Sequence, residues 1–266
     1  MKKALIVFSG GQDSTTCLYW ALEQGWVVHT LTFSYGQRHS IELEAAKKIQ
    51  DRAGLPAENR HLVEIPAGVL KTSSPLMTLG KLKEYEDCLS LPEKGVEDTF
   101  IPFRNQLMLT IAANHAASIG ATEIVTGVSQ EDSGGYPDCR RNFIDSLQLT
   151  SNLSSMEAFP PLTIHTPLMY KTKAETVEEA WFMPECYAAL AWSHTAYDGQ
   201  FPPIGKDHAT LLREKGFLEA GLPDPLVLRA HAEGLMELPE TTNYHKEILD
   251  QVYPVLEDYA WLEVPL

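Results

Sequence analysis

One stretch near the start decides the fold of this chain: Ala4-Leu5-Ile6-Val7-Phe8-Ser9-Gly10-Gly11-Gln12-Asp13-Ser14-Thr15. The run 4–8 is continuously apolar and partly β-branched, which is typical of a strand buried on both faces of a parallel sheet. The glycines that follow allow a tight turn and bring backbone N–H groups close to an anion. The next helix adds donors and a partial positive charge, which favours an anion by roughly 0.3–2 kcal/mol. The stretch therefore predicts a phosphate-binding turn between a first strand and a first helix.

Strands and helices alternate along the first two thirds of the chain. Further strands are predicted at 27–34, 60–65, 123–127 and 163–168, and helices at 14–24, 40–53, 104–119, 140–150 and 172–182. This order predicts an α/β protein with a parallel, five-stranded, Rossmann-like sheet, right-handed crossovers and helices on both faces. After Pro184 the pattern is mostly helical, near 208–218, 225–237 and 243–261. We therefore expect one domain over 1–185 and a helical C-terminal region over 186–266.

Composition restricts the classes of partner. Lys and Arg number 21 and Asp and Glu 36, giving a net charge of −15, which argues against a protein that coats nucleic acid. The longest early apolar run, 4–8, is far short of the ~20 residues of a membrane span, so no membrane partner is expected. No C-x-x-C pair occurs among the four cysteines, so neither a disulfide framework nor a cysteine zinc site is indicated. A cytoplasmic location fits best. Residues 66–103 are rich in Pro, Gly, Ser and charge, which predicts a long active-site loop or lid.

The chemistry of the turn leaves two interpretations open. Ser9, Ser14 and Thr15 supply hydroxyl donors to an anion, whereas Asp13 suits a phosphate site only if it caps the helix or meets Mg²⁺. The alternative is a simple glycine turn followed by an Asp or Ser cap. Two rival nucleotide motifs are excluded. No G-x-G-x-x-G follows a strand, and Asp207 stands where a Walker loop after Gly205-Lys206 needs Ser or Thr.

The turn resembles the S-G-G-x-D-S loop of the PP-loop (N-type) ATP pyrophosphatases of the HUP fold class, which cleave ATP to AMP and pyrophosphate. Further motifs occur in the same order as in the QueC family of 7-cyano-7-deazaguanine synthases. They are Tyr35-Gly36-Gln37-Arg38-His39, Pro102-Phe103-Arg104-Asn105, Gly127-Val128 with Asp132, Gly135-Tyr136-Pro137-Asp138-Cys139-Arg140, and Thr166-Pro167-Leu168-Met169 with Lys171 and Lys173. The resemblance covers roughly residues 1–225.

This resemblance implies a role for each matching residue. The ATP site would comprise Ser9, Gly10, Gly11, Asp13, Ser14, Phe33 and Gly127, with Phe33 beside the adenine. Arg104 and Lys173 would neutralise pyrophosphate, so the catalytic set would be Asp13, Ser14, Arg104 and Lys173, with Mg²⁺. The site for 7-carboxy-7-deazaguanine would comprise Tyr35, Gln37, Arg38, Asp132, Tyr136, Asp138 and Arg140. Either Asp132 or Asp138 would accept hydrogen bonds from the guanine-like edge.

Several of these residues also have a purely structural interpretation. Asp138 and Arg140 would then only cap the helix near 140–150, and Arg104 would be a surface residue at a helix start. The segment 35–39 would be a polar loop at a strand end. Cys139 is expected to be a small buried residue, because adenylation needs no thiol.

The chain departs from the family near its C-terminal third. QueC proteins carry a four-cysteine zinc site, and the four ligand positions here hold Ala196, Ile204, Asp207 and Thr210. Because zinc prefers thiolate or imidazole ligands, we predict no zinc. The alternative is a different metal site formed by His194, Asp198, Asp207 and His208. Hydrophobic packing of Leu211, Leu212, Phe217 and Leu218 is expected to replace the metal.

The resemblance implies ATP-dependent adenylation of a carboxylate followed by attack of an amine. The missing cysteines favour, by a small margin, conjugation to the N-terminus of a protein acceptor, as in QueC-like proteins of antiphage systems such as type IV CBASS. The first alternative is a 7-cyano-7-deazaguanine synthase that uses ammonia. The second is a non-catalytic nucleotide-binding subunit. The family resemblance also implies a homodimer.

Overall fold

The computed structural model describes residues 1–36, 41–66, 68–78, 80–92, 95–131, 135–155, 158–197 and 199–257. Within them, five parallel strands form one sheet in the order β3-β2-β1-β4-β5. The strands are β1 (Lys3–Val7), β2 (Val27–Ser34), β3 (Arg60–Glu64), β4 (Glu123–Val125) and β5 (Thr163–His165). Leu5 of β1 lies between His29 of β2 and Ile124 of β4. The predicted parallel α/β sheet is therefore confirmed.

The helices cover both faces of this sheet. Their bounds are α1 (Gln12–Glu23), α2 (Ile41–Arg52), α3 (Arg104–Ile119), α4 (Arg141–Ser154), α5 (Lys173–Trp181), α6 (Pro184–Ala189), α7 (His208–Ala220), α8 (Pro225–Ala232) and α9 (Lys246–Glu257). Alternate residues of β1 point to opposite faces, so Ile6 joins a core with α1, α5 and α6, and Leu5 joins a core with α3 and α4. The first core also includes Phe217, Leu228 and Val252, so α7, α8 and α9 pack into the same hydrophobic interior as the sheet.

Several boundaries differ from the sequence-based prediction. Strand β5 ends at His165 rather than at 168, because Pro167 has no N–H to donate to a ladder. Helix α8 ends at Ala232 rather than at 237, and Gly234 then turns the chain with a φ of 70°. The segment 66–103 is irregular as predicted, with one short 3₁₀ turn at Cys88–Ser90 in its described part. None of the helices in the described ranges is long and apolar enough to cross a membrane.

A buried ion pair holds the C-terminal region together. Arg213 of α7 is only 2% exposed, and its Nε and Nη2 donate to the two carboxylate oxygens of Asp224 at 2.6 and 2.8 Å. Its Nη1 also donates to Ser193 Oγ at 2.7 Å. The predicted hydrophobic packing is present too, since Leu211 and Phe217 are buried while Leu212 and Leu218 are partly buried. The prediction of hydrophobic packing was therefore incomplete, because it did not include the buried Arg213–Asp224 ion pair.

Candidate active site

The turn after β1 has a backbone that only glycine accommodates. Gly10 has a φ of +83°, and a Cβ there would lie 2.7 Å from the backbone nitrogen of Ala46 and 2.9 Å from the carbonyl of Glu42. Helix α2 therefore packs directly against the turn. On its other side, the His194 N–H donates to the Gly10 carbonyl at 3.0 Å. These contacts fix the path of the loop.

The first turn of α1 carries no side-chain cap within the described structure. Gly11 is the N-cap residue, and no side chain bonds to the amides that follow it. The hydroxyls of Ser14 and Thr15 instead donate to the Gly11 carbonyl, at 3.1 and 2.9 Å. The interpretation of the motif as a glycine turn with an Asp or Ser cap is therefore wrong. The amides of this turn border a cavity, which makes it a ready site for an anion.

Asp13 forms an ion pair with a residue 160 positions away. Its two carboxylate oxygens accept from Lys173 Nζ at 2.8 and 2.9 Å. Lys173 is the first residue of α5, where Thr172 provides the N-cap in a capping box with Glu175. Gly216 of α7 permits this placement, because a Cβ at 216 would collide with the Lys173 side chain. One acidic and one basic group thus stand together at the mouth of the turn.

The cavity has a volume of about 390 Å³ and lies at the carboxyl ends of β1 and β4. These strands flank the point where the strand order reverses, which is where open α/β sheets bind ligands. Gly127 follows β4, and a Cβ there would lie 3.0 to 3.1 Å from atoms of Asp13, so glycine lets α1 approach this strand end. The turn and α1 form one wall of the cavity.

An aromatic and cationic group forms another wall. Arg104, the first residue of α3, lies beside Tyr35, Tyr136 and Tyr197, all of which line the cavity. Tyr35 hydrogen-bonds to Arg104, and Tyr136 Oη lies 2.6 Å from Thr99 Oγ1. Burial raises the pKa of each of the three tyrosines, that of Tyr197 well above its usual value, so the phenols stay neutral. A guanidinium among neutral aromatic rings suits a planar anion.

Asp138 is engaged by the start of α3. Its carboxylate accepts from the Asn105 backbone N–H at 3.3 Å and from Asn105 Nδ2 at 3.3 Å. Burial raises the pKa of Asp138, an effect that Asn105 and Arg104 partly offset. The expectation that Asp138 and Arg140 cap the helix near 140–150 is wrong, because α4 has Arg140 at its N-cap position and no side-chain cap bond. Asp138 instead satisfies an amide of α3.

The structure brings most of the predicted site residues to this cavity. The predicted residues that line it are Ser9, Gly11, Asp13, Ser14, Phe33, Tyr35, Arg104, Gly127, Tyr136 and Lys173. Gly10, Asp138 and Arg140 do not line it. Gln37, Arg38 and Asp132 lie outside the described residues. Sequence reasoning gave no role to His194, Thr195, Tyr197 and His208 in the nucleotide or deazaguanine sites, although all four line the cavity. All four lie in the segment that departs from the family, and sequence reasoning named His194 and His208 only in the alternative metal set.

The structure shows what the residues at the four positions that by resemblance correspond to zinc ligands do instead. Asp207 caps α7, accepting from the N–H groups of Ala209 and Thr210 at 3.0 and 3.2 Å and from Thr210 Oγ1 at 2.6 Å. Ala196 is buried and Ile204 is 63% exposed. Across the described ranges, no three or more His, Cys, Asp or Glu residues are grouped so as to hold a metal ion. All four cysteines are free and buried. Asp198, from the alternative metal set, lies outside the described residues.

A glycine turn that leads into an uncapped helix at the switch point of a parallel sheet is the architecture of the PP-loop class of α/β proteins. Residues 3–221 match the family described as "Queuosine biosynthesis protein QueC", and the chain belongs to this family. The match confirms the resemblance inferred from the motifs and ends before α8 and α9.

Three relatives are similar over nearly their whole length, and each is named 7-cyano-7-deazaguanine synthase. The Chromobacterium violaceum protein is 46% identical over 242 residues, which cover 87% of this chain and 96% of that protein. The Gloeobacter violaceus protein is 45% identical, with coverage of 85% and 96%. The Bacillus subtilis protein is 40% identical, with coverage of 82% and 94%.

Proposed function

We propose that this chain is an ATP-dependent 7-cyano-7-deazaguanine synthase that acts on 7-carboxy-7-deazaguanine and ammonia. Support comes from relatives at 40–46% identity that carry this name and are matched over 94–96% of their length. Sequence reasoning alone ranked conjugation to a protein amine first. The comparisons favour the synthase instead, because none of these relatives is named as a conjugating enzyme.

One observation carries the proposal: two chemically different groups of residues line the cavity. The first group is the uncapped first turn of α1 with the Asp13–Lys173 pair, which suits a polyphosphate. The second group is Arg104 among neutral tyrosines, which suits a planar aromatic carboxylate. A protein that only bound nucleotide would need just the first group. The two groups together favour a reaction between the two ligands.

Adenylation is needed because the substrate carboxylate is a weak electrophile, since its oxygen is a poor leaving group. A carboxylate oxygen attacks the α-phosphorus of ATP, pyrophosphate departs, and the acyl-adenylate now carries AMP as a good leaving group. Negative charge develops on pyrophosphate, which Lys173 and the α1 amides are suited to stabilise. Arg104 was expected beside pyrophosphate, but its position among the tyrosines suits the carboxylate of the other ligand. Asp13 supplies carboxylate oxygens of the kind that Mg²⁺ prefers, and the ion, when bound, would add charge neutralisation.

An amine then displaces AMP. Ammonia gives the primary amide. Activation of the amide oxygen by a second ATP, followed by loss of AMP and of the nitrogen-bound protons, gives the nitrile. Two ATP are therefore consumed for each nitrile formed, and the amide is the intermediate expected to appear when ATP is limiting.

The direct test incubates the protein with Mg-ATP, 7-carboxy-7-deazaguanine and ammonium and follows the products by mass spectrometry. The nitrile and AMP are expected, with the amide accumulating at low ATP. ATP binding without AMP release would refute the enzyme assignment and favour a nucleotide-binding subunit.

A protein amine is a second candidate acceptor, and one observation favours it. The segment that carries Ala196 and His208 lines the cavity but lacks the cysteines of the family's zinc site. A chain end of a partner protein would then meet the adenylate on this side. The test replaces ammonium with candidate proteins and seeks a mass increase on their N-terminal peptides. Conjugation without nitrile would replace the synthase assignment.

A further inference from the structure

His208 is a histidine of the cavity wall for which the adenylation step has no use. It is the first residue of α7, directly after the N-cap Asp207, and it is half-buried. Neither ring nitrogen hydrogen-bonds to any described residue, and its one ring contact is with Tyr85, at 6.1 Å between centroids. The imidazole is therefore open to a molecule in the cavity.

Tyr85 and Glu97 form part of the surroundings of this imidazole. The Tyr85 N–H donates to the carbonyl of Lys206 at 3.0 Å, which holds Tyr85 against the chain just before α7. Tyr85 Oη donates to the Glu97 carboxylate, at 2.8 and 2.7 Å from its two oxygens. Glu97 is buried, so this bond holds its negative charge in place near His208.

Charges of both signs face the His208 ring. Glu97 and Asp207 favour the imidazolium, while Lys173 of α5 and Lys83 oppose it. Burial has the largest effect and lowers the pKa of His208 below the usual imidazole value. The N-terminus of α7 acts in the same direction, because its partial charge is positive. The ring is thus neutral at neutral pH and able to accept a proton.

Other basic groups of the cavity are already engaged. His194 Nε2 bonds to the Ala196 carbonyl at 2.7 Å. The Asp13 carboxylate is paired with Lys173. The tyrosine phenols remain protonated because burial raises the pKa of each.

We propose that the His208 imidazole accepts the proton of the amine that attacks the acyl-adenylate. The nitrogen lone pair attacks the acyl carbon and a C–N bond forms. The bond from that carbon to the AMP oxygen breaks, and AMP leaves with the electron pair. The proton released by the nitrogen goes to the open ring nitrogen of His208. The imidazolium formed is stabilised by the fixed charge of Glu97.

This inference rests on the proposed function, so its test separates the two half-reactions. Adenylation is measured as exchange of labelled pyrophosphate into ATP that depends on 7-carboxy-7-deazaguanine. Amine transfer is measured as AMP release with ammonium and, separately, with hydroxylamine. Hydroxylamine is largely unprotonated at neutral pH and reacts without a base. The variants are His208→Asn and, as a matched control, His245→Asn, whose side chain is exposed and does not line the cavity.

The expected result is that His208→Asn retains exchange and hydroxamate formation but loses about 100-fold in ammonia-dependent AMP release. With the rate expressed per concentration of unprotonated ammonia, wild-type transfer is expected to fall at acid pH as His208 becomes protonated, and this fall is expected to be absent from His208→Asn. The control variant behaves as wild type. Undiminished ammonia transfer, or an equal loss with both nucleophiles, overturns the inference. Loss of exchange in His208→Asn overturns a role confined to the amine step. Absence of exchange in the native chain refutes the proposed function itself.

Discussion

Replacing Gly10 by alanine is the sharpest perturbation of the turn that we propose binds phosphate. The left-handed φ of +83° costs an alanine about 1–2 kcal/mol. The new Cβ would also lie 2.7 Å from the Ala46 nitrogen, so the turn or α2 must shift, which costs about another 1–3 kcal/mol. Gly10→Ala is therefore expected to lower the free energy of unfolding by about 2–5 kcal/mol.

Gly25→Ala is the matched control. Gly25 has a φ of +69°, but a Cβ there would meet nothing within 4 Å, so only the backbone strain applies. Urea unfolding is expected to show a loss of about 1–2 kcal/mol for this variant. Titration calorimetry adds a second readout. Displacing the turn removes one or two hydrogen bonds to phosphate, at about 1.5–3 kcal/mol each, so Gly10→Ala is expected to weaken ATP binding about tenfold or more. Equal stability and equal ATP affinity in the two variants would refute the reasoning.

Three further predictions follow from other charged groups. Asp224→Asn leaves Arg213 buried without its anion and is expected to lower the free energy of unfolding in urea by about 3–5 kcal/mol. The control Glu233→Gln, whose carboxylate belongs to a more exposed pair, is expected to lower it by less than about 1 kcal/mol. Equal losses in the two variants would contradict this prediction. Lys173→Met is expected to lower pyrophosphate exchange about 100-fold while the protein stays folded by circular dichroism; unchanged exchange would remove Lys173 from the mechanism. Burial raises the pKa of Glu123, but hydrogen bonds from His165 and Lys2 outweigh it and lower the pKa overall. The carboxylate therefore stabilises the fold above the usual glutamate pKa and loses this effect as the pH falls through the lowered value, so Glu123→Gln is expected to flatten the acid side of a plot of unfolding free energy against pH.

The locally encoded parts of the molecule could be predicted from the sequence. The apolar run before Gly10 and the 3.6-residue periodicities after it depend on neighbours in the chain, so they indicated the strand, the turn and the order of elements. The motif order was equally local and pointed to the QueC family. Strand β5 and α8 were misjudged at their ends only, where Pro167 and Gly234 stop the element before the apolar pattern does.

Only the tertiary structure decided which distant side chains contact one another. Asp13 pairs with Lys173, 160 residues further along the chain, because Gly216 lets α5 and α7 pack closely and leaves room for the lysine side chain beside the turn. In the same way the Asn105 amide of α3 donates to Asp138, and His208 lines the cavity, although sequence reasoning gave that histidine a place only in an alternative metal set. Periodicity specifies which face of a helix is buried, but it does not specify which distant side chain that face will meet. The sequence by itself therefore determined the sheet, the glycine turn and the family, while the pairing of charges and the residues of the cavity wall around His208 depended on how the helices dock.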